Sequence, residues 1–152
     1  MAYATADARQ QLLDTLVQAI EEIAFALASL GEAYELLDEQ KADELEQEIF
    51  RPVQTAYGRA KRTHAEFARR HDLPGRPFEP AAPGAPSQGV KGFISSAVEA
   101  AGRADSTLAT LQDSMLPIEV GDAELRAGLE DVRRLIGEVP GQARRLLRTL
   151  GR

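Results

Sequence analysis

The chain has 152 residues, no cysteine, a formal net charge of −6, 43% hydrophobic residues and 28% charged residues. That size suits a single domain spanning 1–152 that buries about two-thirds of its unfolded surface. The lack of thiols excludes disulfides, a thiolate nucleophile, zinc ribbons and iron–sulfur clusters.

Residues 1–10 (MAYATADARQ) lack the basic start and apolar run of a secretory signal. The longest uncharged stretch of the helical parts is Ile23–Gly31. It falls well short of a bilayer span, which takes roughly 20 residues. The expectation is therefore a soluble, cytoplasmic protein. Alanine occurs 25 times, aromatic residues make up 5%, and no long apolar–polar alternation suggests a strand. Ala, Leu, Glu, Arg and Gln are strong helix formers, so the expected class is all-α.

The first predicted helix covers about 7–37. Leu12, Leu13, Leu16, Val17, Ile20, Ile23, Ala24, Leu27, Leu30, Tyr34 and Leu37 recur at steps of three and four, forming one apolar stripe. Gly31 offers a weaker alternative for the turn, which is placed at 38–42. A second helix is predicted over 43–71, where Asp43 and Glu46 have the spacing of a capping box. Its stripe is Leu45, Ile49, Val53, Ala56, Ala60 and Phe67. Pro52 inside it should remove a hydrogen bond and kink the rod.

Residues 73–88 read as a proline-rich linker, either extended or a partly disordered loop. Pro74, Pro77, Pro80, Pro83 and Pro86 recur every third residue, the period of polyproline II, so the five rings would line one edge of a rod. The stretch from Pro74 to Pro86 would reach about 40 Å, comparable to a helix of about 30 residues, which leaves the direction of the following helix open.

That third helix is predicted over 90–115. Small residues at Ala97, Ala100, Ala101 and Ala104 permit close approach of a neighbour, and Pro117 ends it. Asp122 is a good N-cap for a fourth helix over 122–150, and Pro140-Gly141 should produce a kink or a separate terminal helix. Four amphipathic segments and three connections predict a four-helix bundle of two long αα-hairpins joined by the proline-rich linker.

Charge is uneven: residues 1–50 hold 12 acids and 2 bases, whereas 51–76 hold 2 acids and 7 bases. On an up-down-up-down arrangement the ends of the second and fourth helices would share a pole carrying Arg62, Arg69, Arg70, Arg76, Arg144, Arg145, Arg148 and Arg152. The opposite pole would carry Glu32, Glu35, Asp38, Glu39, Asp43, Glu44, Glu46 and Glu48. Such charges complement helix dipoles. They could also dock an acidic partner or a second copy, and Arg62, Arg69, Arg70, Arg144, Arg145 and Arg148 are the interaction candidates. The net acidity and the lack of interleaved aromatics argue against nucleic acid. The terminal stretch from Arg144 to Leu150 is basic and amphipathic and could lie on a membrane surface, though it is short.

Catalytic patterns are missing. There is no Gly-x-Ser-x-Gly, Gly-x-x-x-x-Gly-Lys or His-Glu-x-x-His, and Ser95 and Ser96 open no triad. Lys61 and Ala68 stand three residues before the two histidines, so the Glu-x-x-His pairs of di-iron bundles are absent. His64 and His71 lie seven apart on one helix face and are the metal candidates, in a field of arginines that opposes a cation. No cofactor and no enzymatic activity are expected. The reading is a non-catalytic interaction or assembly module, a homo-oligomer or a protein-docking bundle, with a small-ligand or metal-binding bundle as the alternative.

Overall fold

In a computed structural model, which describes residues 2–150, the chain is all-helical, with no strand among the described residues. No described helix is long and apolar enough to cross a membrane. Helix α1 runs Ala2–Leu36. It passes through Gly31 unbroken, because a mid-helix glycine costs only about 1 kcal/mol. The stripe continues on both sides of that glycine, with Ile23, Ala26, Leu30 and Ala33 all buried. The corner after α1 is shorter than the predicted 38–42. Asp38, rather than Asp43, caps α2 (Glu39–Leu45), its carboxylate accepting the Lys41 N–H at 2.9 Å.

Helix α3 (Arg51–Arg70) continues the same rod through one π turn at Glu46–Phe50, where the Arg51 N–H reaches back five residues to the Glu46 carbonyl. The perturbation expected at Pro52 is this turn. Proline has no N–H, and its ring would strike the carbonyl four residues back; widening the helix just upstream relieves both.

Asp72, at φ 55, ends α3, and the Leu73 N–H bonds the Ala68 carbonyl at 2.8 Å. This is a Schellman closure with aspartate at the left-handed position. Residues 73–85 are neither helix nor strand. A 3-10 turn (Pro86–Gln88) then meets α4 (Gly89–Asp113) through Gly89 at φ 71, a conformation that disfavours any side chain. Met115, at φ 70, breaks the chain before Pro117 is reached. Pro117 itself sits in the one-turn α5 (Leu116–Glu119). Asp122 caps α6 (Ala123–Gly137) as expected, accepting the Leu125 N–H at 2.8 Å, and α7 (Val139–Leu150) is a separate terminal helix.

The long rods enclose one core, led by Phe67, Phe93, Leu12, Leu13, Leu16, Ile20, Ile23 and Ile94. The alanine face of α4 (Ala97, Ala100, Ala101, Ala104) is fully buried, and α4 packs chiefly along α1. Helix α6 packs along α3, where an added Cβ on Gly128 would fall 2.2 Å from Thr63 Oγ1. That spacing is open only to glycine.

Ion pairs fix the directions. Glu22–Arg103 and the bond from Arg9 Nε to the Val120 carbonyl make α4 antiparallel to α1. Arg59–Asp131 and Arg70–Asp122 make α6 antiparallel to α3, and Arg133–Asp105 together with the bond from Arg126 Nη1 to the Pro117 carbonyl makes it antiparallel to α4. Since α3 also returns against α1, α3 and α4 point the same way. The order is up, down, down, up, and the linker carries the chain back along the first two rods.

This corrects the charge placement expected from the sequence. Helix α7 packs beside the π turn, at the end of the molecule holding the α1–α2 corner, whereas Arg70 sits with Asp122 at the other end. Arg62, Arg69, Arg70 and Arg76 therefore do not share a pole with Arg144, Arg145 and Arg148; Arg152 lies outside the described residues. The physical reason is the linker, which runs nearly the full length of the molecule and so reverses the second pair of rods.

Candidate functional site

Polar and aromatic side chains concentrate where α3 ends, α6 begins and the linker departs. Asp122 stands at their centre. Besides capping α6, its two carboxylate oxygens accept from Arg70 Nε and Nη2 at 2.9 and 2.8 Å, and His71 Nε2 lies 3.0 Å from Oδ2. Arg70 Nη1 also reaches Glu124 at 2.9 Å. Burial disfavours ionisation of Asp122, but the Arg70, Leu125 and His71 hydrogen bonds outweigh it and hold the carboxyl far below the usual range. The same bond to Asp122 raises the Arg70 pKa. The His71 ring rests on Phe67, with centroids 4.4 Å apart. The cluster ties the last turn of α3 to the first turn of α6.

Further upstream on α3, His64 is buried at 2% exposure. Its Nδ1 has no hydrogen-bond partner among the described residues, and its ring meets Phe78 of the linker edge-on at 5.3 Å between centroids. The Arg76 guanidinium lies over the same phenyl ring, 5.2 Å from its centroid. Burial pushes the His64 imidazole below its ordinary value and Arg76 pushes it further, against a smaller opposing pull from Asp14 on α1.

The linker covers the furrow between α1 and α3. Arg76, Pro77 and Phe78 lie by Ile20, Glu21 and Tyr57; Pro80 and Ala81 lie by Leu27, Ala28 and Gln54. Ala24 and Tyr57 stand between the two stretches and line the hollow beside each. Desolvation beneath the linker raises the Tyr57 hydroxyl pKa, and Lys61 Nζ sits 4.2 Å over the Tyr57 ring.

The predicted site residues disperse. His64 faces the linker and His71 faces Asp122. The helical rise between them is about 10 Å, too far for one ion. Among the described residues no three His, Asp or Glu side chains converge as metal ligands. Of the arginines, Arg70 is committed to Asp122 and Glu124, while Arg62, Arg69, Arg144, Arg145 and Arg148 are exposed. The apolar side of α7 is spent on the core, with Ala143 and Leu146 buried, so the basic amphipathic pattern of that helix is explained by packing inside the protein.

Sequence reasoning missed the Asp122–Arg70–His71 union and the Phe78 cover over His64. The capping role of Asp122 was readable, but its side-chain partners Arg70 and His71 are remote in sequence and carry no local signal. No family model, curated protein or solved structure matches the chain.

Proposed function

We propose that the chain is a non-catalytic interaction or assembly module, a four-helix bundle of two αα-hairpins strapped by its proline-rich linker, which associates with a second copy or docks a protein partner. The observation that carries this reading is the end formed by the α1–α2 corner and α7. Tyr34 and Leu36 are exposed there at 37% and 54%. Around them stand the exposed acids Glu35, Glu39 and Asp43, and on α7 the exposed Arg144, Arg145 and Arg148. None of these six charges is ion-paired to another described residue. One end carrying apolar surface with unpaired charge of both signs is self-complementary, so a two-fold contact would set each arginine row against the other copy's acids.

Sedimentation velocity tests it. At low salt the protein should sediment faster than a monomer as concentration rises, and should revert toward monomer near 0.5 M salt because exposed ion pairs are screened within about 5 Å there. The triple variant R144E/R145E/R148E should remain monomeric at low salt. A single monomeric species at every concentration, unchanged by the substitutions, would refute self-association.

A further inference from the structure

The linker shows a three-residue rhythm of burial. Phe78 and Ala81 are partly buried against the helices and Gly84 against the Gln88 side chain, whereas Pro74, Pro77, Pro80, Pro83 and Pro86 are all exposed. A polyproline II rod has three edges, and here one edge is partly buried in the furrow between α1 and α3, while the proline edge stays exposed, Pro77 and Pro80 bordering the hollows beside that furrow. The remaining edge, Arg76, Glu79, Ala82 and Ala85, is exposed as well. Ala85, at φ −60 and ψ 133, has the matching backbone. Between residues 74 and 84 no main-chain N–H or carbonyl is hydrogen-bonded to the backbone of another described residue, so a row of free carbonyl acceptors runs between the rings.

We propose that this ridge is a docking surface for a partner domain that reads polyproline II through an aromatic-lined groove; the inference rests on the interaction-module reading and names one partner for it. Such a groove takes up residue–proline pairs on two edges of the rod and leaves the third edge free. The pairs available are Arg76-Pro77, Glu79-Pro80 and Ala82-Pro83; Pro86 already opens the 3-10 turn, and the Ala85 carbonyl accepts the Gln88 N–H at 3.2 Å. They repeat about every 9 Å along the rod, and the edge not needed is the one already packed on this protein.

Three chemical features select that occupant. Pyrrolidine rings stack on Tyr and Trp faces, the free carbonyls accept from Trp N–H or Tyr O–H, and the segment offers almost no competing donor at its prolines. Charge adds an orientation. Arg76 is exposed beside Pro77, and Arg62 and Arg69 are exposed on the last turns of α3, so the groove's Pro77 end should carry carboxylates. The rod is held in place beforehand by Phe78 against His64, which lowers the ordering cost that a disordered peptide would meet on binding.

The test is titration of the full-length 15N-labelled chain with a panel of purified SH3, WW and EVH1 domains, read by amide shift changes and by calorimetry. At least one domain should bind, with shift changes concentrated in residues 74–86. The variant P77A/P80A/P83A, which retains Phe78, Ala81 and Gly84, should lose about tenfold or more in affinity. Unchanged His64 ring resonances in that variant would confirm that the strap stays seated. Absence of shift changes with every domain at millimolar concentration, or equal affinity of the seated triple variant, would overturn the proposal. Sedimentation of the same samples keeps the two ideas separate: self-association without any panel binding removes the ridge and leaves the module reading standing.

Discussion

Replacing Asp122 probes the strongest polar junction in the molecule. Its carboxylate caps α6 and pairs with Arg70, and both side chains are about one-quarter exposed, at 27% and 26%. Losing an aspartate cap costs about 1 kcal/mol. A charge-assisted two-pronged bond held partly away from water contributes about 2 kcal/mol more, above the value of a fully exposed pair. Asp122→Ala should therefore destabilise by about 3 kcal/mol, which for a chain of this length lowers Tm by roughly 6–12 °C.

Asp122→Asn retains a good cap and one acceptor, so it isolates the charge and should cost about 1–2 kcal/mol. The pH dependence follows from the depressed carboxyl. Its folded-state value lies below the unfolded value of 3.8. The extra stability is thus fully present above about pH 5 and is lost as pH falls below about 4 toward the folded value. Scanning calorimetry of wild type and D122N between pH 3 and pH 7 should show a constant Tm gap above pH 5 that narrows below pH 4. An Arg70→Ala/Asp122→Ala cycle should show a coupling of about 1–2 kcal/mol. A D122N melting curve superimposable on wild type at pH 7, or a coupling energy near zero, would refute this account of the junction.

Three further outcomes are expected. Gly128→Ala should destabilise by about 1–2 kcal/mol despite the gain in helix propensity. The cause is the new methyl meeting Thr63, and adding Thr63→Ala should recover part of the loss in urea melts. The buried His64 is harder to protonate folded than unfolded, so stability should fall as pH drops below about 6.5, and His64→Phe should flatten the Tm profile between about pH 6.5 and 5. Phe78→Ala should uncover that imidazole and move its NMR titration midpoint upward toward the ordinary histidine value; a midpoint unchanged from wild type would show that Phe78 does not shield it.

The sequence alone determined the all-helical class, most of the buried face of each rod, the Asp122 cap and an interruption before the final helix, because these depend on residues close together along one helix. Threefold proline spacing likewise announced a non-helical stretch, and residues 73–85 are neither helix nor strand. Where Pro52 would act was legible, but the π turn at Glu46–Phe50 by which the helix accommodates it was not.

Tertiary structure alone decided the rest. A linker long enough to span the molecule is compatible with either direction for α4, and only packing of its alanine face along α1 selected one. That choice separated the two arginine groups, turned α7 toward the acidic corner, and brought Arg70 and His71 to a carboxylate far along the chain. It also laid Phe78 over His64 and left the prolines exposed. Contacts between segments remote in sequence have no periodicity to announce them; they follow from which apolar surfaces cover one another once the rods are assembled.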